Sequence, residues 1–346
     1  MITQASIVSI DSPPLTYTQR NAQRGSPESA MTAHDLIEFG YSPARWVQTP
    51  AEDTSARVPF WEALALVHLV PGLIKSRYAV RPEAYDALVL RCPRCQSQGP
   101  GKVCRACGVA RKNVTERRPW SAAAAYCKGW AELHTKALRR IVPEDLVTRA
   151  QAASKRLLED SELADLHENS DRNVAVAGVW LDDETGLKIP LRAVVSYVPI
   201  EGSLRDDALA TVSVAMDAAP GAWAKQMWGR SKHLAAAFKQ DLLAVAQQGA
   251  RPQHLWALVE PDPPYLTARR RATPELLSSA RSTYAELLMA YARCLKSGVW
   301  PGFEADAKGS LDAWSPVYLE PWMTQGEARG DKLFAVDAAP PAEAAD

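Results

Sequence analysis

Residues 91–112, RCPRCQSQGPGKVCRACGVARK, hold two Cys-x-x-Cys knuckles, Cys92/Cys95 and Cys104/Cys107, with eight residues between them. Each knuckle presents two thiolates from a tight turn, and four thiolates close a tetrahedral site around Zn²⁺. However the rest of the chain folds, these four positions must meet at one point. The spacing therefore predicts a zinc ribbon, with Gly99, Pro100 and Gly101 turning the chain between its two arms. A closed set of four ligands leaves no open coordination position, so the zinc is structural. Its binding supplies folding free energy to a loop too polar to fold alone. Unpaired buried cysteines or two disulfides are the alternative, and the spacing disfavours both.

Charge is distributed unevenly around that ribbon. The chain of 346 residues carries 40 Lys+Arg and 40 Asp+Glu, so no global field draws it to nucleic acid. Locally, Arg91, Arg94, Lys102, Arg105, Arg111 and Lys112 rim the ribbon, with Arg117 and Arg118 close behind and Glu116 the one acid among them. Such a patch can seat a phosphate backbone, or it can simply keep the ribbon solvated. Arg269, Arg270 and Arg271 form a second cluster, which reads equally well as a charged, aggregation-resistant sheet edge. No apolar run approaches the length that spans a membrane, and the start MITQASIVSIDSPPLTYTQR has no signal-peptide pattern. Four cysteines in metal spacing suit a reducing cytoplasm, while Cys127 and Cys294 read as buried small hydrophobes.

Periodicity divides the chain. Residues 1–30 read as a flexible segment and 331–346 as a disordered Ala/Pro/acid tail. The stretch 31–90 reads as a helical part of the core, with Thr32 capping a helix and a second helix over 59–74. A helix is expected over 121–141, with Ser121 as its N-cap and Arg139-Arg140 in its last turn, and one or two more over 143–169. After Asn173 the pattern changes to strands over 173–182, 188–199 and 208–217. One helix follows over 220–249, then a strand at 254–260 and its antiparallel partner at 265–272. The last long helix starts at Pro274 and stops at Gly298. Helices, then strand–strand–strand–helix–strand–strand–helix, predict an α/β (α+β) fold with a mixed sheet flanked by helices.

The segments TGLKIPLRAVVSYVP (185–199), ATVSVAMDAAPGAWAKQMW (210–228) and KHLAAAFK (232–239) resemble the RecE (exonuclease VIII) branch of the PD-(D/E)XK nucleases. That family reads Thr-Gly, Arg-x-Asp, Asp-x-Lys-Thr-Thr, then a helix with Tyr-His-x-Gln-x-Ala-Phe-Tyr. The resemblance extends over about 35–325 through LVEPDPPY (258–265), YARCLKSGVWPGF (291–303) and YLEPW (318–322). It implies a PD-(D/E)XK core over 119–330 with the ribbon as an insertion. It places Val194 and Ser213 on the two family aspartates and Ala215 on the lysine, with Ala235 and Lys239 also departing from the helix motif. His68 and Glu168 fall on further family positions and read as remnants of the site.

Those substitutions bear directly on chemistry. Hydrolysis of this type uses carboxylates to hold Mg²⁺, and a lysine to stabilise developing negative charge. Val194, Ser213 and Ala215 supply neither. The resemblance therefore implies a DNA-processing fold of phage or recombination type with a defunct nuclease centre, acting in DNA binding or assembly. A homo-oligomeric ring or a recombination partner would fit such a role. The residues allow two alternatives. Asp206, Asp207 and Asp217, with Lys225, could form a relocated Mg²⁺ site of an active exonuclease, or the ribbon could be a protein-interaction module that never touches DNA.

Overall fold

The chain's first strand lies where the sequence suggests looseness. In the computed structural model, which describes residues 1–8, 30–48, 58–71, 78–137, 139–200, 203–249 and 251–300, β1 (Ile2–Val8) is an edge strand of the main sheet. The polar composition of 1–30 hides an alternating ITQASIV that pairs antiparallel with a strand some 170 residues away. The expected tail, 331–346, and the YLEPW segment lie outside the described residues.

The next elements are helical. They are α1 (Ala33–Tyr41), α2 (Pro43–Gln48) and α3 (Phe60–His68). Thr32 caps α1 as expected, its hydroxyl accepting from the Asp35 amide while the Asp35 carboxylate returns a bond to the Thr32 amide. The described residues from Tyr78 to Leu90, also within the supposed helical part, form strands. β2 (Tyr78–Arg81) and β3 (Ala84–Arg91) precede the ribbon, and β4 (Lys112–Pro119) follows it. β3 and β4 pair antiparallel without a slip from Ala84↔Pro119 to Arg91↔Lys112, so the ribbon is the tip of a hairpin.

The helix expected over 121–141 is shorter, α4 (Ala125–Lys136). Ser121 turns the chain before it instead of capping it. The β-branched run Arg140-Ile-Val-Pro leaves the helix to become β5 (Arg140–Pro143), parallel to β2. α5 (Glu144–Leu158) and α6 (Ser161–Glu168) then lead into the central meander of β6 (Ser170–Leu181), β7 (Lys188–Pro199) and β8 (Ala208–Val214). The helix expected over 220–249 is two, α7 (Pro220–Gly229) and α8 (Lys232–Ala246), broken at Ser231, whose backbone is left-handed. The left-handed turn that stops α7 falls on a serine and not on a glycine, so no local signal marks it. The crossover returns to β9 (Gln253–Val259), β10 (Thr267–Arg271) and α9 (Pro274–Ser297), with Pro274 and Gly298 at the two ends of α9 as expected.

The main sheet runs β1-β6-β7-β8-β9-β10, antiparallel throughout except for the parallel pair β8–β9. Helices cover both faces. On the first face α1, α7, α8 and α9 pack on Val176, Ile189, Leu191, Val195, Leu209 and Leu258. On the second, α3, α5 and α6 pack on Tyr197, Ala210, Ala257 and Val259. The alanines of α8, among them Ala236 and Ala237, let that helix lie close to the sheet. Gly178 on β6 makes the approach possible, because a Cβ there would meet Leu242 Cδ2 at 2.5 Å and the Gln4 carbonyl oxygen at 2.8 Å. Gly178→Ala therefore overpacks the β1–β6–α8 contact. Urea unfolding should show a loss of about 1–3 kcal/mol, the usual cost of overpacking. An unchanged midpoint would mean that α8 sits further from β6 than described.

Candidate functional site

The four predicted zinc ligands converge. Each knuckle is folded by its own backbone: the Gln96 amide donates to the Cys92 carbonyl, and the Gly108 amide to the Cys104 carbonyl. Gly108 takes the left-handed φ of 68° that the second turn requires. The four Sγ atoms lie within 4.8 Å of one another, with Cys92–Cys107 at 3.2 Å, Cys95–Cys104 at 3.5 Å and Cys95–Cys107 at 3.7 Å. Four sulfurs about 2.3 Å from a central Zn²⁺ would stand roughly 3.8 Å apart, so the cluster is close to the size the ion needs. All four are free thiols, and together they can hold a metal ion such as zinc. The Ser97 hydroxyl, aided by the Ala106 and Cys107 amides, lowers the Cys104 thiol to about 5. The hydrogen bond with Cys92, aided by desolvation, pushes Cys107 up to about 12. An entering cation displaces that proton.

The cations around the ribbon fall into two kinds. Arg91 pairs with Glu116 at 2.9 Å, and Arg111 donates to the Gly101 carbonyl at 3.0 Å while packing against Gly99. These two brace the hairpin. Arg94, Lys102, Arg105 and Lys112 are exposed and have no ion-pair partner among the described residues. Purified protein should carry one zinc per chain. Cys104→Ser should release it and unfold residues 92–111 while β3–β4 pairing persists, and metal analysis with amide exchange would read both. Clearly less than one equivalent in fresh protein would dispose of the ribbon.

The positions that the resemblance aligned with the catalytic residues are split between the two faces of the sheet. Ile189, Leu191, Ala193 and Val195 point into the first core, so Val194 points the other way and is 41% exposed. On β8, Leu209 and Ala215 point into the first core and Ala210 into the second. Ser213, in phase with Leu209, is thus buried with Ala215 on the face opposite to Val194. The strands cause this mismatch. Tyr197↔Ala210 is the one register pair between β7 and β8, beyond which the Ser196 hydroxyl takes the Val212 amide at 3.0 Å and the strands diverge. Spacing in sequence cannot report such a fork. The β8 residues that share a face with Val194 include Ala210, Val212 and Val214, which pack on the second core.

His68 lies on that same second face and anchors a hydrogen-bonded chain. Its Nδ1 is 2.7 Å from Ser154 Oγ and its Nε2 2.5 Å from the Tyr197 hydroxyl. The hydroxyl is 3.2 Å from His167 Nδ1, and His167 Nε2 is 2.8 Å from Arg172 Nη1. Arg172 can only donate, which sets the direction of every bond in the chain. His167 accepts at Nε2 and donates from Nδ1 to Tyr197, which donates to His68 Nε2, and His68 donates from Nδ1 to Ser154. Burial, reinforced by His167 and Arg172, holds His68 down at about 3. Burial raises the Tyr197 phenol. None of Ser154, His167, Arg172 or Tyr197 was singled out from sequence, because their role arises only when α3, α5, α6 and β7 meet.

The remaining candidates do not converge. Glu168 is exposed at the end of α6, beside His167. Asp217 is exposed and accepts from the Ala219 amide at 2.8 Å ahead of α7. Asp206 and Asp207 precede β8 and Asp217 follows it. The seven residues of β8, at roughly 3.3 Å each, hold them on the order of 20 Å apart, too far for a shared ion. Among the described residues the cysteine cluster is the one group of three or more His, Cys, Asp or Glu with ligand atoms in metal-binding reach. In the Arg269–Arg271 cluster, Arg269 pairs with Glu162 and Asp160, and Arg270 donates to the Ala218 carbonyl.

No protein-family model matches this chain, and no curated protein does. A crystal structure of a protein from Eubacterium rectale, provisionally described as an exonuclease, is similar at 10% identity with a TM-score of 0.47. The similarity covers 90% of this chain and 96% of that one.

The His68 chain makes stability depend on pH. The folded-state pKa is depressed to about 3 from an unfolded value near 6.5, so the unfolded chain alone takes up a proton between those limits. The contribution of His68 is complete above about pH 6.5 and is lost as pH falls towards 3, at up to about 1.4 kcal/mol per pH unit. Denaturant midpoints measured from pH 7.5 to 4 should fall more steeply for the unaltered protein than for His68→Gln. Equal slopes would contradict the burial of a neutral imidazole.

Proposed function

We propose that this protein binds DNA through a PD-(D/E)XK-type core whose nuclease centre has been lost, with the zinc ribbon as its basic contact arm. The observation that carries the reading is the face beside His68. Val212 and Val214 pack there and Val194 lies exposed on the same side of β7, where this chemistry needs carboxylates for Mg²⁺ and a lysine for the developing charge. Whichever register is taken across the fork, Ser213 and Ala215 or Val212 and Val214, no carboxylate or amine results. The meander β6–β7–β8, the crossover through α7 and α8, and the parallel β9 support the nuclease-type core. Arg94, Lys102, Arg105 and Lys112 support the DNA contact, since exposed unpaired cations release counterions when they meet phosphate. A recombination-type role, as a RecE-like non-catalytic subunit in a ring or beside a recombinase, is the finer form of this reading.

Two assays test it together. Linear duplex DNA incubated with the protein and Mg²⁺ or Mn²⁺ should remain intact. The same DNA should be retarded in low-salt gels, and replacing Arg94, Lys102, Arg105 and Lys112 by Gln should weaken that binding at least ~10-fold. Robust metal-dependent degradation abolished by Asp217→Ala would overturn the reading in favour of an active site elsewhere. Absence of duplex binding at low salt would leave the ribbon without a DNA role.

A further inference from the structure

A second cationic surface lies well away from the ribbon in sequence, at the junction of α7 and α8. From Ala218 to Gln240 the chain holds Lys225, Arg230, Lys232 and Lys239 and not one Asp or Glu. Lys225 and Arg230 are exposed, and none of the four has an ion-pair partner among the described residues. The nearest acids in sequence are Asp217, at the far end of α7 and engaged with the Ala219 amide, and Asp241, which is clamped by Arg251 and Arg281. Among these cations Trp228 is 55% exposed, although it is a large aromatic with a buried neighbour at hand. Its ring lies on His233, centroids 4.1 Å apart and planes at 28°. That stacking, together with the chain reversal at Ser231, holds one face of the indole against the protein and leaves the ring open to solvent. Lys232 is largely buried, with its ammonium 5.0 Å from the centre of the Trp223 ring. Burial and then Arg230 lower it to about 8, a cost that a nearby anion would relieve.

We propose that Trp228, with Lys225, Arg230 and Lys232, forms a stacking site for single-stranded nucleic acid. A flat ring already backed by an imidazole accepts the face of one unpaired base, and the surrounding cations take the adjoining phosphates. The interior of a duplex cannot use the ring in this way, since its base faces are covered by neighbouring pairs. The site thus reads a different feature of nucleic acid from the ribbon, and it stands or falls independently of the duplex contact proposed above.

Fluorescence anisotropy with a labelled oligothymidylate and a blunt duplex of equal length separates the two. The unaltered protein should bind the oligothymidylate. Trp228→Ala should weaken that binding roughly 5- to 150-fold, the span of one base–aromatic stack, and change duplex binding by less than about twofold. Trp228→Phe should retain most of the single-strand affinity, which distinguishes lost stacking from damaged folding. Removing Lys225 and Arg230 together should flatten the dependence of log affinity on log salt by about 1.4, near 0.7 per phosphate contact. Failure of the unaltered protein to bind oligothymidylate, or equal binding by Trp228→Ala, overturns the site whatever the duplex result. Replacement of the four ribbon cations should leave single-strand binding in place even where it abolishes duplex binding.

Discussion

Burial from both faces is the condition under which the centre of this molecule is built. β8 and β9 lie side by side in parallel, with α7, α8 and α9 over one face and α3, α5 and α6 over the other. A strand in that position cannot alternate apolar and polar residues, because neither face meets water. A polar atom there is costly without a partner, as at Thr211 Oγ1 and the two His254 ring nitrogens, which have none among the described residues, and a charge that enters has to be clamped. Asp241 illustrates the rule: its carboxylate is held by Arg251 at 2.6 Å, Arg281 at 2.9 Å and the Tyr284 hydroxyl at 2.5 Å, which ties α8 to α9. At the β7–β8 fork, where the sheet opens, carboxylates could be tolerated only with a cation between them. Val194, Val212 and Val214 stand there instead, Val212 and Val214 packed on the second core and Val194 exposed.

The sequence was most legible where local chemistry acts alone. The two cysteine knuckles, the Thr32 cap, and the Pro274 start and Gly298 stop of α9 are all written within four or five residues, and each is found in place. The mixed sheet was legible for the same reason, since the change of period near Asn173 is local. Legibility failed where distant segments decide. Nothing in ITQASIV announces that it pairs with β6, and nothing in Arg140-Ile-Val-Pro announces β2 as its neighbour. The positions aligned with the family's catalytic residues are the most instructive case. Alternation holds along β7 from Ile189 to Val195 but not to Tyr197, which packs in the second core, and the relative phase of β7 and β8 is set by a fork in which a serine side chain replaces a backbone partner. Counting residues therefore put Ser213 beside Val194, and the sheet puts them back to back.

Charge tells a similar story at a larger scale. The formal sum is zero, yet the cations are sorted by function more than by segment. Arg91, Arg111, Arg269 and Arg281 are spent inside the fold, on Glu116, the Gly101 carbonyl, Glu162 and Asp241. Arg94, Lys102, Arg105 and Lys112, and separately Lys225 and Arg230, are left outward and unpaired among the described residues. Net charge is blind to this division, and so is a count of arginines in a window. What separates the groups is whether an acid or a carbonyl lies within reach of the side chain, which is a property of the fold.

The hairpin that carries the ribbon has a mechanical side. β3 and β4 pair over eight residues each, so at roughly 3.3 Å per residue the sulfur cluster stands about 26 Å from the base of the hairpin. The Trp120 amide on the Glu83 carbonyl closes the base, which is tied to α4 by the stacked rings of Tyr85 and Tyr126 and to α5 by the Glu83 amide on the Glu144 carboxylate. Leverage follows from these lengths. A tilt of about 10° at the base carries the tip through roughly 5 Å, close to the rise of the DNA helix over one to two base pairs (~3.4 Å each). A metal held by the four sulfurs would make the far end of the lever a rigid head, so that rotation at Tyr85 and Trp120 would become translation at Arg94 and Arg105 without any rearrangement of the ribbon itself.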